Sequence, residues 1–123
     1  MPTMGGAGMS VDLKAKIWLE SSGRKIFGDG PCDILQRIER TGSLRQTAAE
    51  INMSYSQAWK LIKMIEDNLG FSVLEKQVGG AGGGHSKLTG QAAKLTMAYE
   101  QFRQEAEANL EQLFDKHLAD LLK

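Results

Sequence analysis

Cysteine, proline, histidine and net charge are all scarce in this chain, and each scarcity removes a class of explanation. Cys32 stands alone, so no internal disulfide can form and a reducing compartment suits the chain. Its expected place is as a small buried apolar side chain. Only His85 and His117 could join it as ligands, at spacings that match no zinc site, so no metal and no cofactor are expected. No apolar run approaches the length of a membrane span and the N-terminus lacks a signal-peptide core. The expected location is therefore the cytoplasm, with no membrane partner. Basic and acidic residues number 15 each, so bulk charge names no partner, and the placement of the charges has to decide.

What remains is an ordinary globular composition, 41% hydrophobic and 24% charged, over 123 residues. That is enough for one small domain with a long helix appended. MPTMGGAGMS has no periodicity and reads as a leader, residues 1–10. Leu13-Lys14-Ala15-Lys16-Ile17-Trp18-Leu19 alternates apolar and polar residues, which predicts a half-buried strand. Turn chemistry from Glu20 to Arg24, followed by Lys25-Ile26-Phe27, predicts its return as a hairpin.

Gly28-Asp29-Gly30-Pro31 opens a helix with Pro31 at its first position, and Thr41-Gly42 closes it. Ser43 caps a second, short helix carrying Leu44, Thr47, Ala48 and Ala49. Asn52-Met53 breaks that helix, and Ser54 caps a third from Tyr55 to about Asn68, with Ala58, Leu61, Ile62 and Ile65 facing inward. Phe71 to Lys76 and Ser86 to Leu88 read as strands on either side of a glycine-rich stretch. Thr89 caps a final helix that no proline, and no glycine after Gly90, interrupts. Along it Leu95, Tyr99, Phe102, Ala106, Leu110, Leu113 and His117 recur three or four apart, a stripe suited to packing on another helix. The glycine stretch is not a domain linker, because the single helix after it has no core of its own.

The second and third helices carry the most specific signal. Two short helices meet at a tight turn, with Ala48 and Ala49 small enough for close packing, which is helix-turn-helix geometry. The leading end of the third helix holds Ser54, Tyr55, Ser56 and Gln57, able to bond base edges or phosphates. Lys60 and Lys63 lie further along, and Arg45 sits on the helix before. Trp59 is expected in the core. A helix-turn-helix followed by strand, glycine tip, strand and helix is a winged arrangement.

From about Gly28 to Phe102 the chain resembles the N-terminal DNA-binding domain of the ModE family, bacterial molybdate-responsive regulators similar to LysR-type winged helices. The stretches GSLRQTAAEINMSYSQAWKLI and LEKQVGGAGGGHSKLTGQA carry the resemblance. It implies a mainly α fold with small antiparallel β elements: a winged helix-turn-helix domain, residues 11–90, and a long dimerisation helix, residues 91–123. It also implies a sequence-specific transcriptional regulator, a homodimer on palindromic double-stranded DNA, and no enzymatic activity. The recognition-helix match covers Ser54, Tyr55, Ser56, Ala58 and Trp59, and the wing match covers Gly79, Gly80, Gly82, Gly83 and Gly84. Lys76, His85 and Lys87 join the DNA-facing set on charge. The dimer stripe is Leu95, Tyr99, Phe102, Ala106, Leu110 and Leu113. Family members carry paired molybdate-binding modules after this domain. None follows the final helix here, so the expectation is a regulator without them, its molybdate response left open.

Charge sharpens the dimer expectation. Residues 43–90 hold five basic against four acidic groups, a net of +1. Phosphate neutralisation supplies most non-specific affinity, so one copy alone is a weak binder. Two copies place recognition helices roughly 34 Å apart, one turn of duplex. A nucleotide-binding loop is the first rival, but the order Gly-His-Ser-Lys is not that of a phosphate loop, and no helix opens directly after it. Ser86 with His85 lacks a third residue to orient a base, so no catalytic residue is assigned. The second rival is a winged helix that serves as a protein-interaction or scaffold module without DNA; an exposed Tyr55–Trp59 surface would favour it.

Overall fold

The computed structural model describes residues 9–75 and 85–123. Two strands, β1 (Trp18–Ser21) and β2 (Arg24–Gly28), are followed by four helices: α1 (Asp29–Thr41), α2 (Leu44–Glu50), α3 (Tyr55–Leu69) and α4 (Gly90–His117). A short 3-10 turn, Ala119–Leu122, ends the chain. Residues 17–100 form one compact unit; residues 1–16 and 101–123 form a second, so α4 contributes to both.

The hairpin forms, but shorter than its alternating pattern. β1 and β2 pair antiparallel, with Trp18 opposite Gly28 and Ser21 opposite Arg24, and an irregularity between Leu19 and Glu20. Ser22 (φ 52°) and Gly23 (φ 77°) make the two-residue turn in the left-handed region, whose twist matches that of the flanking strands. Leu13 to Lys16 are not strand. The alternation continues there, yet β2 gives way to α1 after Gly28, so no backbone remains for those residues to pair with.

Helix α1 begins two residues before the expected position: Gly28 is the N-cap and Pro31 the third helical residue. Proline is tolerated there because none of the first four helical N–H groups has an intrahelical acceptor. Helix α2 starts where Ser43 Oγ accepts from Gln46 N. Helix α3 starts with a full capping box, Ser54 Oγ accepting from Gln57 N and Gln57 Oε1 from Ser54 N. It stops at Gly70 (φ 83°), whose N–H bonds Glu66 O. Thr89 Oγ1 accepts from Ala92 N at the start of α4.

The core of the first unit is continuous. Phe27, Ile34, Leu35, Ile38, Ala58, Ile62, Ile65, Val73 and Ala92 are all buried, and Cys32 joins them as the expected small apolar filler. Tyr99 closes it from α4: its ring meets Phe27 edge-on at 5.1 Å, and its hydroxyl donates to Ile17 O at 2.9 Å. This hydrogen bond ties the chain entering β1 to the third turn of α4, 82 residues later.

The segments expected as wing strands make a single bridge among the described residues, Leu74 to Leu88. Glu75 N donates to Lys87 O at 2.8 Å and Thr89 N to Val73 O at 2.9 Å. Lys76, Gly79, Gly80, Gly82, Gly83 and Gly84 lie outside the described residues. In the second unit, Leu13 and Ala15 line a cleft of about 500 Å³ with Gln104, Glu107, Ala108 and Leu110.

Candidate nucleic-acid interface

The turn between α2 and α3 is set by Asn52, at φ 57°. Asn52 N bonds Ala49 O at 3.2 Å and Met53 N bonds Ala48 O at 2.9 Å. This is the double bond of a Schellman cap, with asparagine where glycine usually stands. Asparagine is one of the few side chains that tolerate the left-handed region, so the break was legible from its identity. Ala48 and Ala58, 2% and 0% exposed, let α2 and α3 meet closely at that turn, whereas Ala49, expected beside Ala48 in this contact, is exposed.

Helix α2 is held from behind. Glu50 bridges Arg40 at 2.6 Å and Arg37 at 3.2 Å, and Arg37 also bonds Asp33 at 2.9 Å. Hydrogen bonding to Arg40, then to Arg37, holds the Glu50 carboxyl below the usual carboxylate range. The bond to Asp33, with help from Glu50, pushes the Arg37 guanidinium above its ordinary value. Thr41 and Thr47 share a hydroxyl hydrogen bond of 3.0 Å, and Thr47 is fully buried.

With α2 braced, α3 turns a polar face outward. Ser56, Lys60 and Lys63 are exposed, and Arg45 on α2 stacks over the Tyr55 ring at 4.3 Å to its centroid. Tyr55, Ser56, Lys60, Lys63 and Met64 line an outward hollow of about 700 Å³ with Trp59. Ser54 and Gln57 reach the same end, but their oxygens are already acceptors in the cap. What they offer outward is the Ser54 hydroxyl proton and the Gln57 amide N–H groups.

Trp59 departs from the expectation. It is 38% exposed rather than core, because the buried row of α3 is Ala58, Ile62 and Ile65. One residue on from Ala58 is a rotation of about 100°, which carries the indole to the edge of the outward face. There Lys63 Nζ lies 5.1 Å from its ring centroid.

Two positioning residues had no sequence signal. Ser86 accepts from Leu44 N at 3.0 Å through Oγ and donates from its backbone N to Gly42 O at 2.7 Å. It thereby fastens the base of the wing to the start of α2, a contact between residues 42 apart that no local pattern encodes. Glu66 Oε2 accepts from Val73 N at 2.9 Å, joining the end of α3 to the chain that enters the wing. His85 and Lys87 are exposed beside Ser86.

The predicted dimer stripe divides by location. Tyr99 is 3% exposed in the core, and Leu95 is half-buried against it. Ala106 and Leu110 are half-buried, and Phe102 and Leu113 are 52% and 49% exposed. Among the described residues no group of three metal-ligating side chains occurs, and no helix is long and apolar enough to cross a membrane.

A braced short helix, a Schellman turn, a capped second helix with a polar outward face and a following bridge define a winged helix-turn-helix protein. The chain belongs to the bacterial regulatory helix-turn-helix protein, lysR family, whose sequence pattern matches residues 32–93. It is similar to the molybdenum-pterin-binding protein MopB of Rhodobacter capsulatus, 32% identical over 97 residues, 79% of this chain and 36% of that one. It is also similar to the DNA-binding transcriptional dual regulator ModE of Escherichia coli K12, 31% identical over 78 residues, 63% of this chain and 30% of that one. The molybdenum transport protein ModE of Herbaspirillum seropedicae is 31% identical over 70 residues, 57% of this chain and 26% of that one. The match thus spans about a third of the length of these relatives or less.

Proposed function

We propose that this chain is a homodimeric, sequence-specific DNA-binding transcriptional regulator, acting in the cytoplasm without catalysis of its own, on genes linked to molybdenum. The observation that carries the reading is the outward face of α3, where Ser56, Lys60 and Lys63 stand exposed beside Arg45 of α2. Hydroxyl and amide groups there suit base edges, and the cations suit phosphates. Arg45, Ser54, Tyr55, Ser56, Gln57, Lys60 and Lys63 form the recognition set; Lys76, Gly82, Gly83, Gly84, His85 and Lys87 form the wing set. Residues 11–90 constitute the DNA-binding domain after a leader of ten residues, and residues 91–123 the dimerisation helix, whose early turns also complete the core. Phe102, Ala106, Leu110 and Leu113 supply the dimer contact. The molybdenum link rests on the names of the relatives, and any molybdate response has to be measured.

Selection of bound sequences from a randomised duplex library, followed by a salt titration on the selected site, tests the reading. Affinity is expected to fall with salt. Lys60→Ala with Lys63→Ala is expected to reduce the slope by about two for each copy bound, one for each lysine that neutralises a phosphate. No binding at low salt, or an unchanged slope in the double variant, overturns it. Repeating the selection with molybdate present tests the link to that anion.

The exposure of Trp59 favours a second reading, a winged helix that binds protein through its Tyr55–Trp59 surface. Under that reading the selection enriches no sequence, while Trp59→Ala abolishes association with a protein partner.

A further inference from the structure

Along α3, Tyr55, Trp59 and Lys63 are spaced four apart and form one row on the helix surface. A cation covers each aromatic ring of this row. Arg45 lies 4.3 Å from the Tyr55 centroid and Lys63 lies 5.1 Å from the Trp59 centroid. Both distances fall within the range where a ring face attracts a cation. Tyr55 is half-buried and packs against the core, while Trp59 is 38% exposed on the same row. The exposed side of the row therefore presents two ring faces, each already occupied by a cation.

We propose that Tyr55 and Trp59 are platforms that hold Arg45 and Lys63 in place for two phosphates of one DNA strand. Trp59 is thereby a positioning residue of the interface, acting through the lysine one turn further along. The inference rests on the DNA-binding reading above and adds the physical role of the aromatic row. A free arginine or lysine side chain surrenders roughly 2 kcal/mol of rotamer freedom when fixed on a phosphate. Stacking on a ring removes part of that freedom before DNA arrives, so less is lost on binding. Both cations keep outward N–H groups, because a ring face occupies no donor. Glu66 contributes to the same end. Its Oε1 lies 3.5 Å from Lys63 Nζ while Oε2 is committed to Val73 N, so the carboxylate steadies the ammonium from the core side.

Double-mutant cycles in DNA affinity test this, on the duplex selected by the wild-type protein. Trp59→Leu, Lys63→Ala and their combination form one cycle; Tyr55→Leu, Arg45→Ala and their combination form the other. Each aromatic-to-leucine variant is expected to weaken binding by about two- to fivefold, the value of a surface cation–π contact. In the background lacking its cation, the same variant is expected to have no further effect. Trp59→Phe, which keeps a ring face, is expected to restore most of the loss. Thermal unfolding of each variant separates positioning from damage to the fold. Where a leucine variant is less stable, the phenylalanine variant carries the test. Multiplicative losses within a cycle overturn the proposal, as does a change in selected sequence on Trp59→Leu, which would make Trp59 a base-reading residue. If the wild-type protein binds no duplex at low salt, the DNA reading fails and this inference with it. Wild-type binding with multiplicative cycles removes this inference alone.

Discussion

Helix α3 and the part of α4 beyond Glu100 both carry apolar residues at helical spacing, and they dispose of them differently. In α3 the inner row is closed within its own unit, with Ala58 and Ile62 fully buried and Ile65 1% exposed. In the later part of α4, Phe102 stays 52% exposed and Leu113 49% exposed. The early part of α4 behaves like α3, since Ala92 and Tyr99 are inside the core. Periodicity therefore reports that a face is apolar, but not what covers it. Where a neighbouring element of the same unit lies opposite, the face becomes core; beyond that element Phe102 and Leu113 stay about half exposed.

Replacing a residue of the closed row gives the largest expected effect. Ile62→Ala removes a fully buried side chain and is expected to cost about 2–5 kcal/mol of stability, read from denaturant or thermal unfolding. The loss should not depend on protein concentration. If it does, the closed row is not self-contained and the contrast with α4 fails.

The partly open row, half-buried Leu110 and exposed Leu113, calls for the opposite result. Leu110→Glu with Leu113→Glu is expected to leave the fold of residues 17–100 unchanged and to weaken self-association by at least about tenfold, roughly 1.4 kcal/mol. Light scattering across a dilution series measures this. A wild-type protein that remains monomeric at micromolar concentration breaks the comparison, because the apolar stripe would then have no covering partner.

A third substitution acts on the turn that aims α3. Asn52→Val is expected to cost about 1–2 kcal/mol, because a β-branched residue is strained at φ 57°. Asn52→Gly is expected to be neutral or better. Equal unfolding midpoints for the two variants would remove the Schellman turn as the device that sets the angle between α2 and α3.

These cases also show what the sequence made legible. Ser43, Ser54 and Asn52 could be read directly, because a cap or a left-handed turn depends on one residue and its nearest backbone. The inner face of α3 was legible for the same reason. Leu13 to Lys16 misled, because a strand needs a partner and alternation alone supplies none. The two expected wing segments do pair, through the Leu74–Leu88 bridge, and Lys76 with the glycine tip lies outside the described residues. Trp59 misled because it sits at the edge of the buried row, where 100° of helix rotation separates core from surface. Ser86 was silent, since its partner Leu44 is brought to it only by the finished fold.

The smallest expected effect comes from Glu50, which joins α1 to α2 inside the self-contained unit. Its folded-state pKa is lowered, first by the hydrogen bond from Arg40 and then by that from Arg37. A carboxyl with a lowered folded pKa stabilises the fold above its unfolded pKa, and the contribution fades as pH falls through the folded value. Glu50→Gln is therefore expected to lower the unfolding midpoint slightly at neutral pH, and the gap should start to narrow only once pH falls below the ordinary glutamate value, about 4.3. High salt should narrow it too, because the pair faces solvent. The gap should be independent of protein concentration, as for Ile62→Ala and unlike the substitutions at Leu110 and Leu113. A gap that grew on dilution would place Glu50 in the association of two copies instead, and the boundary between the closed and the open regions would have to be redrawn through α2.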